Sequence, residues 1–245
     1  MMETKRLSLD RTVLKIIAVI AMLIDHVAAV FLVGLTVGEL GWIYYVCRFI
    51  GRMTAPIMCF FLSEGFIHTS SRKNYIIRMG IFTLIAQPVY TLAFFDKILT
   101  LHFSMIFTLF VSLLMLEAWE KIDKLPLRIL AVIICVLLTI RSDWAIYAPL
   151  MVFGCYAMRD RGIYRLTVPA AVSLYMVAMY GISFASIGRG FWGAFMHLGM
   201  VVSVILLAFY NGERGRGGKA SKWFFYIFYP AHLLIIYIAK LLLRG

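Results

Sequence analysis

From Thr12 to Val33 the chain reads almost without interruption as aliphatic and small residues, and past Lys15 its only titratable side chains are Asp25 and His26. At about 1.5 Å of rise per residue such a run is roughly 33 Å long as a helix, enough to cross a hydrocarbon core of about 30 Å. Comparable runs recur to the end of the chain, at about 42–67, 75–95, 102–119, 166–184, 191–210 and 223–243, with two shorter ones at 127–140 and 144–158. With 63% hydrophobic and 15% charged residues among 245, a soluble domain of this size could not cover itself with polar surface. Within lipid every backbone N–H and C=O must pair inside its own segment, so the spans are helices. The expected fold is all-α: a polytopic integral membrane helical bundle of about nine transmembrane helices, forming one domain over residues 1–245. No small-residue cleavage site follows the first run, which reads as a retained span rather than a removed leader.

The charge pattern orients the chain. There are 24 Lys+Arg against 12 Asp+Glu, a formal +12. Most of the basic residues fall in short segments between alternate runs: Lys5, Arg6 and Arg11; Arg72 and Lys73; Lys121, Lys124 and Arg128; Arg159, Arg161 and Arg165; and the stretch NGERGRGGKASK at 211–222. Basic residues concentrate in the loops left on the cytoplasmic side, which predicts a cytoplasmic N-terminus and a cell-membrane protein. The same placement accounts for the basic excess without a nucleic-acid partner. Cys47, Cys59, Cys135 and Cys155 all sit in apolar stretches and show no metal-ligand spacing; Cys47 and Cys59, about 18 Å apart along one helix, cannot form a disulfide. They read as buried small hydrophobes, and no metal site is expected. The pair 127–140 and 144–158 is short enough to be a tilted or re-entrant hairpin.

Ionisable groups at membrane depth are costly and face a cavity or a partner. Counted along their helices, His26 lies roughly 21 Å from the inner end of the first span, and Arg52 about 15 Å from the outer end of the second, so the two approach one level. Gln87 and His232 fall near the midplane on the same count, with Arg48 and Asp143 further out. Arg48 and Arg52 are four apart and share a helical face, where two guanidinium groups require an anion: Asp25, Asp143, or a substrate oxygen. A structural Asp–Arg pair between the first two spans meets that need equally well. His26 is a candidate general base, since an imidazole titrates near neutral pH. Asp25 and His26 diverge by about 100° on the helix, so Asp25 is expected to orient another group or balance an arginine. Glu64 interrupts the second span, and His232 follows Pro230 by two residues. His102 and His197 read as structural.

The same residues carry a likeness. The segments LDRTVLKIIAVIAMLIDHVAAVFL, RFIGRMTAPIMCFFLSEGFIHTSSRKNYIIRMGIF, SDWAIYAPL and AFYNGERGRGGKASKWFFYIFYPAHLLII follow one another in an order that resembles the TraX family, the group containing the F-pilin acetylase. TraX proteins in turn are distantly similar to acyltransferase-3-type membrane acyltransferases, in which a first-span histidine is catalytic and the second span carries an FF-x-L-S-G-F-like motif. The matching residues here are His26 and Phe60–Phe66, with Glu64 inserted before Gly65.

That resemblance implies acetyl transfer from acetyl-CoA to an acceptor, an N-terminal amine in the case of F-pilin. On it, His26 and Asp25 are the expected catalytic pair. Arg48, Arg52, Glu64, Asp143 and His232 are expected at the oxyanion or substrate. Asn211, Arg214, Arg216 and Lys219, with Arg72 and Lys73 as a second patch beside His68, are expected to hold coenzyme A. Three other functions fit the residues: O-acylation of a surface glycan or lipid, proton-coupled transport through the buried histidines, and a non-catalytic subunit of a conjugation or secretion apparatus.

Overall fold

The computed structural model describes residues 8–37, 40–215 and 218–244. The ordered elements are α1 (Arg11–Val27), α2 (Gly41–Arg52), α3 (Thr54–His68), α4 (Arg72–Phe95), α5 (Met105–Lys121), α6 (Leu125–Leu138), α7 (Tyr147–Ala157), α8 (Thr167–Ala185), α9 (Gly190–Ala208) and α10 (Gly218–Leu242). No β-strand occurs among the described residues; two isolated bridges join Leu9 to Tyr210 and Phe103 to Ser142. Helix α1 continues through a π-helical turn, Ala28–Leu32, into a 3-10 turn, Val33–Val37. α2 and α3 are separated only at Met53.

Six apolar stretches among the described residues are long enough to cross a membrane: Arg11–Thr36, Gly41–His68, Arg72–Phe95, Gly162–Ala185, Gly190–Ala208 and Trp223–Leu242. The expectation of nine also counted the segments that fold as α5, α6 and α7, which are 17, 14 and 11 residues long. At 1.5 Å per residue α6 and α7 reach only about 21 and 17 Å. The turn between them carries Trp144 and Ala145 at φ 62° and 21°, the left-handed region that side-chain-bearing residues rarely adopt. The four cysteines are free, as expected, but only Cys59 and Cys155 are buried.

The chain divides into two compact units. The first holds the chain up to Met58 together with Pro169–Phe225. In it α2 packs against both α1 and α9. Glycines allow the close approaches: a Cβ on Gly199 would lie 1.9 Å from the Phe49 carbonyl oxygen, and one on Gly193 would lie 2.4 Å from that of Tyr180. Tyr45 stacks on Trp192 at 5.0 Å and Phe49 on Phe195 at 5.1 Å, while the Thr54 hydroxyl donates to the Ala18 carbonyl. Asp10 caps α1 by accepting from the Val13 N–H. The residues around that cap are tied to the loop after α9: Leu9 donates to Phe209, Arg11 to Glu213, Asn211 to Leu9, and Thr12 to the Arg214 carbonyl.

The second unit holds Cys59–Val168 with the chain from Tyr226 onward, and α5 is packed on by α4, α6 and α7. Gln87 is engaged by the backbone ahead of α5. Its amide donates to the His102 carbonyl and accepts from the Ser104 N–H, fixing the entry to α5. α4 contains Pro88 and ends at Asp96, whose φ of 56° an aspartate tolerates. The Asp96 carboxylate receives Lys240 at 2.9 Å and Arg244 at 3.1 Å, and Lys240 also donates to the Ala93 carbonyl.

The hydrogen bond from Lys240, reinforced by Arg244, holds the Asp96 carboxyl below its ordinary pKa. A carboxylate lowered in the folded chain stabilises it above the unfolded value of about 3.9 and loses that contribution as pH falls through the folded value. The protection of amides in the last turn of α10, the exchange rate taken relative to that of an unstructured amide at the same pH, is therefore expected to be flat above about pH 4 and to fall below it, and Asp96→Asn removes the step.

Candidate functional site

The first unit gathers Asp25, Arg48 and Arg52. Asp25 and His26 occupy the last turn of α1, immediately before the π-helical turn. π-turns are rare and occur frequently at functional sites, because the wider turn redirects side chains and loosens the carbonyl ladder. The Ala28 N–H closes back on the Asp25 and Ile24 carbonyls, and Arg48 reaches the Asp25 carbonyl at 3.5 Å. The Asp25 carboxylate pairs with the Arg48 guanidinium at 2.8 Å, both side chains about 15% exposed. Its second oxygen meets no hydrogen-bond partner among the described residues and lies against Gly51, where a Cβ would come within 2.0 Å of it. Arg52, one turn along α2, stands within electrostatic reach of Arg48, Asp25, Tyr180 and Tyr44. His26 is 9% exposed.

This arrangement answers one question that spacing left open. The anion facing the two guanidinium groups in this unit is Asp25, which therefore balances an arginine. Two guanidinium groups beside one carboxylate are the kind of donors that can face an oxygen on which negative charge develops.

Glu64, Asp143 and His232 belong to the second unit. Glu64 is 5% exposed and ion-paired with Arg165, whose guanidinium lies over the Phe60 ring at 4.3 Å; His68 is 3.8 Å from the same carboxylate. The Phe60–Phe66 motif thus docks basic residues, with Arg72 over Phe66 at 4.3 Å. Asp143 hydrogen-bonds the Tyr90 hydroxyl and faces Tyr229. His232 has Nδ1 2.7 Å from the Phe228 carbonyl and its ring stacked on Phe228.

For a phosphate-bearing ligand the expected groups differ in availability. Arg72 is paired with Glu120 at 3.4 Å, while Lys73 is exposed. Asn211 closes a local turn with Glu213 through both its amide groups, while the Arg214 side chain is exposed. Arg216 and the Lys219 side chain lie outside the described residues. Among the described residues no group of three or more His, Cys, Asp or Glu side chains could hold a metal ion.

Sequence reasoning passed over Arg165, counted as an inner-loop charge, and Tyr180 and His197. The signal for His197 is its spacing from Gly193, four residues earlier, which offers a carbonyl to the imidazole.

The family model described as TraX protein matches residues 10–240. The chain belongs to the TraX family. It is also similar to a probable fimbrial assembly protein FimC, serogroup H1, of Dichelobacter nodosus, 33% identical over 243 residues that cover 94% of this chain and 96% of the relative. No solved structure matches. The family match takes in the four compared stretches apart from Leu9, and it extends the likeness read from the sequence over residues 10–240 of this TraX chain.

Proposed function

We propose that this TraX chain is an integral membrane acetyltransferase that moves the acetyl group of acetyl-CoA to an acceptor amine. The observation that carries the proposal is the half-buried Asp25–Arg48 pair with Arg52 one turn along α2, Asp25 preceding His26 at the π-turn of α1. The acceptor nitrogen bonds to the acetyl carbon, His26 takes the proton it gives up, the C–S bond breaks, and His26 returns the proton to the departing sulfur. Arg52 and Arg48 stabilise the negative charge that forms on the carbonyl oxygen, and Asp25, seated against Gly51, holds Arg48. Arg214, exposed in the unit that holds His26, is the basic residue we assign to the phosphates.

The bacterial cytoplasmic membrane is the setting we assign, with the N-terminus and the basic loops inside, where coenzyme A is found. The fimbrial name of the Dichelobacter relative makes the amine of a fimbrial subunit the first acceptor to try. Purified protein in detergent should release free thiol from acetyl-CoA. Solute uptake driven by a pH gradient in proteoliposomes, with no thiol released, would replace the enzyme by a transporter.

A further inference from the structure

His197 lies on α9 between the two glycines that bring neighbouring helices close, Gly193 toward α8 and Gly199 toward α2. It is fully buried, and its ring stacks on Tyr180 at 3.9 Å and 24°. Nδ1 is 3.0 Å from the Gly193 carbonyl oxygen. A carbonyl only accepts, so Nδ1 carries the proton, and in the neutral ring Nε2 is a lone-pair acceptor. That Nε2 is buried and has no hydrogen-bond partner among the described residues. The charged groups that face the ring are Arg52 and Arg48, which belong to the site already described.

Buried polar atoms are nearly always hydrogen-bonded, so this nitrogen calls for a donor. A phosphate and a thioester carbonyl present only acceptor oxygens and cannot serve. Of the two reactants in acyl transfer, the acceptor carries an N–H or O–H at its reacting atom. We infer that His197 Nε2 binds the nucleophile, receiving a hydrogen bond from one N–H of its amine, the other being the proton His26 takes, and aiming the lone pair at the thioester carbonyl. The inference rests on reading this unit as the acyl-transfer site. It makes His197 a substrate-contacting residue in addition to His26, with the Gly193 carbonyl and Tyr180 holding its tautomer and ring plane.

Two isosteres separate this role from packing. His197→Asn keeps a donor at the Nδ1 position, toward Gly193, and removes the acceptor at Nε2; His197→Gln keeps an acceptor near Nε2. Thiol release from acetyl-CoA is measured with a synthetic peptide bearing a free N-terminal amine as acceptor. For H197N the KM for the peptide should rise about tenfold, the loss of one hydrogen bond, with the KM for acetyl-CoA and the thermal midpoint near those of the parent. H197Q should recover to within about threefold of the parent. If the parent releases thiol to water alone, the same ordering is expected in that rate. An unchanged H197N, a loss falling equally on both substrates, or a Gln variant no better than Asn overturns the inference and leaves the acyl-transfer reading standing. A parent that releases no thiol overturns both.

Discussion

Arg165→Met should lower the thermal midpoint in detergent by roughly 10 °C, from a loss of about 3–5 kcal/mol. Glu64 is 5% exposed, and Arg165 is its principal cation. Removing that guanidinium leaves a carboxylate away from water without its closest cation, with His68 3.8 Å off and itself largely exposed. The Phe60 ring also loses the cation above it. The cost belongs to the stranded charge rather than to the pair, since a desolvated ion pair roughly offsets its own desolvation. Glu64→Gln combined with Arg165→Met should therefore recover much of the loss. Thermal unfolding of the two variants side by side checks this; a single variant as stable as the parent means that Glu64 is solvated.

Gly51→Ala should abolish most turnover, by about a hundredfold, while costing only about 1–3 kcal/mol of stability. The new methyl would lie 2.0 Å from Asp25 Oδ1 and 2.2 Å from Asp25 Cβ, so Asp25 must move and the Arg48 pair with it. Gly199→Ala should be worse for stability. Its Cβ would meet the Phe49 carbonyl oxygen at 1.9 Å, a backbone atom that no rotamer change relieves, so α2 and α9 must separate. Gly34→Ala, with nothing within 4 Å, is the matched control and should be silent in both respects. Turnover and thermal midpoint measured together on the three variants distinguish damage to the site from damage to the packing.

The membrane-length helices could be read from the sequence because hydropathy and length carry that information directly. Thr12–Val33 and Tyr75–Phe95 correspond to α1 with its extension and to α4. The division of α2 from α3 at Met53 is marked by Pro56 in the first turn of α3, which has no N–H to return to the Arg52 carbonyl, and α6 and α7 stop short because their apolar runs end in Arg141–Ser142–Asp143 and in Arg159. Within the candidate site, four-residue spacing put Arg48 and Arg52 on one face, and the need for an anion offered Asp25, Asp143 or a substrate oxygen without choosing among them. Depth counting alone also drew in Gln87, whose amide is consumed by the backbone before α5. Rise along a helix gives a level and says nothing of which neighbour a side chain faces. For the same reason Glu64 could not be matched with Arg165, a hundred residues away and counted among loop charges, and a lone histidine in apolar α9 gave no hint that its second nitrogen lacks a donor.

We assign the imidazole of His26, next to Asp25 on α1, as the base that drives acyl transfer from a thioester. Thiol release from acetyl-CoA by purified His26→Ala protein in detergent, set against the parent, tests it most directly. The account expects the parent to turn over and the variant to lose at least about a hundredfold in rate, the worth of one positioned general base, with its thermal midpoint retained. A His26→Ala protein that releases thiol as fast as the parent would contradict it.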